Sequence, residues 1–344
     1  KMILGIETTA HTFGIGVVDT ENQRFSVPKN SKEFSGKGKI LCNIKDSYTT
    51  EKGGIIPIEA AKHHADLAEI IYQKALKETG ISEKEIKAIA ISNAPGLPPC
   101  LLEGMKFAKK KASKLKVPLI PVNHCVAHLE IGRITGAKDP ILLYASGANT
   151  QIIAYAAGKY RIFGETLDIG IGNFIDNFAR IAGIGFPGGP KIQKIAENGS
   201  YIELPYSIKG MDVVFSGMLT KLKQMHEQKK YELKDLAFSL QETAFAMLVE
   251  AVERALAHTE KKELVLGGGV ACNTRLQEMC RIMCKERGAK FFVPANEFLV
   301  DNGAMIAFTG ELLFNSGQYF EPKDFDKLDI QPRQRTDEVE VRWR

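Results

Sequence analysis

Ile3-Leu4-Gly5-Ile6-Glu7-Thr8-Thr9-Ala10-His11-Thr12-Phe13-Gly14-Ile15-Gly16-Val17-Val18-Asp19 decides the fold, because its pattern returns later in the chain. The second copy is Ile141-Leu142-Leu143-Tyr144-Ala145-Ser146-Gly147-Ala148-Asn149-Thr150-Gln151-Ile152-Ile153-Ala154-Tyr155. In each, β-rich residues form a candidate strand, small polar residues a turn, and apolar residues a return strand. Turn residues and a third candidate strand follow, Asn22 to Val27 in the first copy and Gly158 to Phe163 in the second. A unit that recurs in this way implies an internal duplication, with one hairpin opening each half.

Outward from each hairpin, helix and strand alternate. Ile58 to Thr79 has amphipathic helical spacing, Ile86 to Ile91 reads as a strand ending at Pro95-Gly96, Gly104 to Leu115 as a helix and Pro118 to Val122 as a strand. In the second half the series is a helix at Leu236 to His258, a buried strand at Leu264 to Leu266, and helices at Thr274 to Arg287 and Ala304 to Phe314. Alternation of this kind means an α/β protein with largely parallel sheets. Two lobes are expected, 1–138 and 139–320, with a charged tail at 321–344 docking on the surface. Within that tail Val339, Val341 and Trp343 read as a short alternating strand, and the polar stretch Gln23 to Asp46 reads as an exposed loop.

Composition narrows the class. The 344 residues are 44% hydrophobic and 25% charged, which excludes disorder, collagen and coiled coil and suits two ordinary domains. No apolar run reaches the roughly 18–20 residues that cross a bilayer, and the start lacks a long apolar segment, so neither a membrane span nor a secretory leader is read. Forty-six Lys and Arg against 41 Asp and Glu give a net charge of +5, which permits a nucleic-acid partner without requiring one. None of the six cysteines forms a C-x-x-C pair, a usage that fits reduced thiols and a cytoplasmic setting. Cys280 and Cys284 stand one helical turn apart, a weak metal clamp without further ligands.

His124-Cys125-Val126-Ala127-His128 places two imidazoles four apart, on one face of a helix and close enough to share an ion. Two histidines do not complete a site. Asp301, in the turn Asp301-Asn302-Gly303, could supply a carboxylate, although sequence alone does not bring it to His124. Gly267-Gly268-Gly269-Val270-Ala271-Cys272-Asn273 follows a strand and precedes a helix, where glycines admit a ligand to the backbone and the helix start favours an anion. Ser146 to Thr150 and Gly188-Gly189-Pro190 are further small-residue turns. Together they favour a nucleotide cleft between two lobes, and without G-x-x-x-x-G-K-[ST] it is not a P-loop.

Several long motifs, in order and over nearly the whole chain, resemble the universal threonylcarbamoyl transferases that modify tRNA, in the form found in the KEOPS complex. They are Glu7 to Thr12, Glu59 to His64, Pro95-Gly96-Leu97, Asn123 to Gly132, Tyr144 to Thr150, Phe163 to Gly170, Phe186 to Pro190, Gly268 to Asn273 and Asp301 to Ala307. The resemblance implies the duplicated actin-like, sugar-kinase-like (ASKHA) fold. It implies one divalent metal, iron or zinc, held by His124, His128 and Asp301 with Tyr144 beside them. It implies an adenylate pocket of Tyr144, Ala145, Ser146, Gly147, Ala148, Asp176, Gly189, Gln193, Gly268, Gly269 and Asn273, which ATP or AMP can also occupy. Gln193, Pro98 and Ala148 depart from the residues usual in the family. The implied reaction carries the threonylcarbamoyl group from threonylcarbamoyl-AMP to the adenosine 3′ of the anticodon, in tRNAs reading codons that begin with A. The implied partners are tRNA and the kinase-like, small dimerising and adaptor subunits of a KEOPS-type complex.

No residue stands out as a general base; His11, His63 and His64 are candidates. Lys106, Lys109, Lys110 and Lys114 fall along one side of their helix and are candidates for tRNA phosphates. Two other classes remain at this point. A metallopeptidase would use the paired histidines, but Cys125 stands where H-E-x-x-H enzymes carry their base. A small-molecule kinase or non-catalytic ATP-binding scaffold could share the fold.

Overall fold

The computed structural model describes residues 1–22, 39–50 and 54–344. Strands β1 (Met2–Glu7), β2 (Thr12–Asp19) and β3 (Ile40–Ser47) open the chain, followed by helix α1 (Pro57–Thr79), β4 (Ile86–Ala94), α2 (Pro98–Leu115), β5 (Leu119–Asn123) and α3 (His124–Gly132). The second set is β6 (Ile141–Ala145), β7 (Thr150–Ala156), β8 (Lys159–Glu165), α4 (Ile171–Ile181), α5 (Gly188–Ile195), β9 (Ile208–Lys209), β10 (Asp212–Val213), α6 (Ser216–Glu227), α7 (Leu233–Thr259), β11 (Glu263–Gly267), α8 (Thr274–Arg287) and β12 (Lys290–Phe292). Two helices close the series, α9 (Asn296–Leu299) and α10 (Gly303–Asn315).

The duplication is visible in the topology. One sheet has the order β3-β2-β1-β4-β5 and the other β8-β7-β6-β11-β12. Each begins with three antiparallel strands and continues with two parallel ones. The parallel central strands are buried on both faces, which explains their continuous apolar runs, Ala88 to Ile91 and Leu264 to Leu266. Pro57 at the first turn of α1 and Pro98 at that of α2 fit positions where no amide partner is lost.

Three expectations need correction. Residues 40–46 are strand rather than loop, since β3 pairs with β2. Positions 23–38 of the expected loop, and with them most of the strand expected at Asn22 to Val27, lie outside the described residues. Val339, Val341 and Trp343 dock as expected, against Leu142, Tyr160 and their neighbours, but no strand forms there. Cys280 and Cys284 are buried in the apolar core of the second sheet; burial pushes both thiols up, that of Cys284 to about 11, so they serve as packing.

Helix α10 crosses back over the molecule. It follows the second set in sequence but packs on β1, β2, β4 and α3 of the first. Glycines make that contact possible: a Cβ on Gly5 would stand 2.2 Å from the amide nitrogen of Ala307, and one on Gly16 2.2 Å from that of Ala304. Asp301, within 139–320, therefore enters the site next to an element that rests on the first sheet. Helix α3 packs on both β5 and β11 and lies between the sheets.

Candidate active site

Four side chains from three parts of the chain converge where α3 begins. Asn123 caps α3, its carbonyl oxygen accepting from the amides of Cys125 (3.0 Å) and Val126 (3.2 Å), so His124 occupies the first helical position. His128 follows one turn on, with ring centroids 4.7 Å apart. Asn302 caps α10 by accepting from the Met305 amide at 2.9 Å, which fixes Asp301 immediately outside that helix. Tyr144 comes from the end of β6. The Asp301 Oδ1 lies 3.2 Å from His124 Nε2 and 3.3 Å from His128 Nε2, and the Tyr144 hydroxyl is 3.1 Å from His124 Nε2. These separations match the edges, about 3.3 Å, of a tetrahedron of N and O ligands at metal-bond distance. Among the described residues, His124, His128 and Asp301 form the one group of three such side chains able to hold an ion, their donor atoms all within 4.8 Å of one another.

These groups act strongly on one another's charge. Burial opposes charge on His124, but Tyr144, Glu7 and Asp301 override it and hold the imidazole well above its ordinary value. Burial likewise opposes charge on Asp301, and the two imidazoles hold its carboxyl well below the usual range. Burial dominates at His128, whose imidazole is pushed down, and at Tyr144, whose phenol is pushed up. The Nδ1 of His128 has no hydrogen-bond partner among the described residues.

Glu7 was not singled out in the sequence, yet it completes the arrangement. Its Oε2 meets His124 Nδ1 at 3.0 Å, while Oε1 accepts from the Thr9 amide at 2.7 Å and from the Thr9 hydroxyl. Its signals were a carboxylate at the end of an otherwise apolar strand and its place at the head of the motif Glu7 to Thr12.

The expected nucleotide turns flank this cluster. Ala145 and Ser146 continue directly from Tyr144. Gly268 has φ 91, and a Cβ there would lie 2.2 Å from the carbonyl oxygen of Ala145, so the two turns abut through backbone. In the Ser146 turn the Ser146 hydroxyl and amide both bond Asn149 O, which leaves the amides of Gly147 and Ala148 without a partner among the described residues. Asp176 accepts from the Gly188 amide at 2.8 Å, and burial raises its carboxyl. A Cβ on Gly189 would meet open space. Gln193 donates to the Thr274 hydroxyl at 2.8 Å, tying α5 to the start of α8. Asn273 caps α8 through its oxygen and gives its amide to Gln241 at 2.7 Å, so its side chain is committed within the protein. Gly269 stands beside Gly268 in the same turn.

Two of the three histidines considered as bases are held by other partners. His64 is buried with Nε2 on the Ala10 carbonyl at 2.8 Å, and burial lowers its imidazole to about 4. His63 bonds Asp46 at 2.7 Å. His11 lies in the β1–β2 turn. The lysine strip is less uniform than its spacing suggests. Lys106 and Lys110 are exposed, while Lys109 is drawn to the Leu328 carbonyl (2.5 Å) and Lys114 to Glu83 (3.0 Å). No helix among the described residues is long and apolar enough to cross a membrane.

Solved structures support the fold alone. HypF of T. kodakarensis matches with TM-score 0.58 at 15% identity, over 92% of this chain and 48% of that one. The activator of a 2-hydroxyisocaproyl-CoA dehydratase from Clostridium difficile, with bound ADPNP, matches at 0.54 and 10% identity, over 92% and 97%. Sequence comparison reaches further. A relative from Thermococcus kodakarensis, a tRNA N6-adenosine threonylcarbamoyltransferase, is 52% identical over 99% of both chains. A relative from Methanosarcina mazei, a probable bifunctional tRNA threonylcarbamoyladenosine biosynthesis protein, is 49% identical over 99% of this chain and 59% of its own length. The peptidase and scaffold alternatives find no support among these relatives. Residues 39–308 match the family model of tRNA N6-adenosine threonylcarbamoyltransferase, and the chain belongs to that family.

Proposed function

We propose that this protein is the acyltransferase that moves a threonylcarbamoyl group from threonylcarbamoyl-AMP to the N6 amine of the tRNA adenosine 3′ of the anticodon. The convergence of His124, His128, Tyr144 and Asp301 beside the Ser146 and Gly268 turns carries this reading. The acceptor amine is a weak nucleophile, because its lone pair is delocalised into the purine. Positioning and electrophile activation must therefore supply most of the rate. A divalent ion held by His124, His128 and Asp301, with Tyr144 adjacent, would supply Lewis-acid polarisation of a substrate oxygen. The donor set suits iron and zinc alike.

The chain's own groups divide the remaining work. Gly147 and Ala148 offer free amides to the phosphate, whose negative charge grows as AMP departs. Gly189 leaves room for the nucleoside, and Asp176 braces the start of α5 on which that glycine sits. Glu7 holds the His124 ring from its far side. Of the four candidate lysines on α2, Lys106 and Lys110 are exposed and free to meet tRNA phosphates. A tRNA substrate sets the protein in the cytoplasm, and the kinase-like, dimerising and adaptor subunits belong in the assay. The test is reconstitution with tRNA, threonine, bicarbonate, ATP and the adenylate-forming enzyme. Wild type should produce the modified adenosine. His124→Ala, His128→Ala and Asp301→Ala should each lose it while keeping the native fold by circular dichroism. Full activity in any of the three overturns the site assignment.

A further inference from the structure

Lys45 lies in the cleft without a role so far. It pairs across the β2–β3 ladder with Gly14, and Asn43, two residues earlier on the same face, pairs with Gly16. Directly opposed residues point to one side of a sheet. That side is the one covered by the start of α10: a Cβ on Gly14 would lie 3.0 Å from the Gly303 amide, and Asn43 Oδ1 accepts from the Ala304 amide at 3.2 Å. Lys45 thus belongs to the row of β3 that lies beside the start of α10, next to the Asp301 turn.

Its side chain is exposed by area, yet protein surrounds the ammonium on several sides. Burial pulls it below the ordinary lysine value, while Asp301, Cys272 and Glu297 pull it back up. None of these three closes an ion pair with it, and no hydrogen bond holds it among the described residues. Asp301 belongs to the metal-ligating cluster, and Cys272 belongs to the Gly268 to Asn273 turn of the nucleotide side. The ammonium is therefore within electrostatic reach of both halves of the cleft. In an acyl-adenylate, the group that joins the acyl carbon to the nucleoside is the phosphate. An anion entering among Asp301, Asp176 and Glu297 needs a countercharge.

We propose that Lys45 binds the phosphate of the acyl-adenylate and stabilises it as the leaving group. This rests on the transferase reading above. In the transfer, the N–C bond to the acceptor forms and the C–O bond to phosphate breaks. The amine releases one proton to solvent, and AMP departs with the electron pair of the C–O bond. Lys45 would meet the charge that collects on the phosphate oxygens.

The test compares AMP with adenosine by calorimetry on the full-length protein, as wild type, Lys45→Ala and Lys45→Arg, alongside the tRNA transfer assay. Lys45→Ala should lose about tenfold or more in AMP affinity, the loss expected for a hydrogen bond to a charged group, with adenosine affinity unchanged. Lys45→Arg should recover most of it. Three results overturn the proposal: unaltered AMP affinity in Lys45→Ala, which leaves the threonine carboxylate as the only anion for Lys45; equal losses for AMP and adenosine, which mark a structural role; or a wild type that binds AMP no better than adenosine. A wild type that fails to modify tRNA but shows the expected AMP losses refutes the transferase reading and keeps the phosphate site. Normal transfer with unchanged AMP affinity in Lys45→Ala does the reverse.

Discussion

Glu7 and His64 show how far one buried group can set the behaviour of the site. The Glu7 carboxylate accepts a hydrogen bond from Nδ1–H of His124, which turns Nε2 toward Asp301 and Tyr144 as the nitrogen that would bind an ion on losing its proton. Such a partner fixes both tautomer and ring orientation. Glu7→Gln should lower metal affinity about 10–100-fold, read by competition with a chromophoric chelator. Unchanged affinity would mean the Nδ1 bond is incidental. This role is invisible in the sequence because its two ends are 117 positions apart. The paired histidines, by contrast, were legible from helical spacing alone. His64 makes a pH prediction. Its imidazole is lowered from an ordinary 6.5 to about 4 by burial, so the unfolded chain binds the proton more readily. Stability then rises with pH across that window: the penalty is full below about 4 and gone above 6.5. It amounts to about 3 kcal/mol. His64→Gln should flatten this slope in urea unfolding between pH 7 and 5, and a slope as steep as wild type would assign the effect elsewhere.

At the scale of elements, the approach of α10 to β1 and β2 is the contact on which the carboxylate ligand depends. The amide nitrogens of Ala304 and Ala307 sit where side chains at Gly16 and Gly5 would be, and Asp301 lies just outside the same helix. The obstruction is backbone, so no rotamer change relieves it. Gly16→Ala should destabilise the fold by about 1–3 kcal/mol and, by shifting the helix start, weaken metal binding at temperatures where the protein remains folded. A variant with lowered melting temperature but wild-type metal affinity would show that Asp301 is positioned independently of that contact. The sequence showed Gly14 and Gly16 only as breaks in an apolar strand. Which helix they admit follows from a chain reversal after β12, and local pattern does not encode that. The same limit explains β3, whose polar residues Asn43 and Lys45 face a cleft rather than a core. The duplication was legible because both copies repeat their apolar alternation and turn chemistry.

Across the whole molecule, the carboxyl-terminal segment is wired to the helix that carries the two imidazoles. Glu130, in the last turn of α3, is fully buried. It accepts from Arg133 at 2.8 Å and Arg344 at 3.2 Å, and it also bonds the Tyr160 hydroxyl and the Trp343 indole. The Arg344 guanidinium in turn lies over the Tyr155 ring, 5.0 Å from its centroid. A carboxylate in the interior is tolerated only while its partners remain, so removing one leaves its charge less fully offset. Arg344→Met keeps apolar bulk and removes the cation, and should cost about 1–3 kcal/mol in urea unfolding. Glu130→Gln should also destabilise, because it removes the carboxylate that Arg133 and Arg344 share and leaves Arg344 with Asp139 alone as its acidic partner. The double variant removes both charges, so its loss should fall short of the sum of the single losses by about 0.5–3 kcal/mol. Strict additivity would mean that the segment and α3 do not share this interaction. Sub-additivity, together with weaker metal binding in Arg344→Met, would mean that a contact at residue 344 steadies the helix holding His124 and His128.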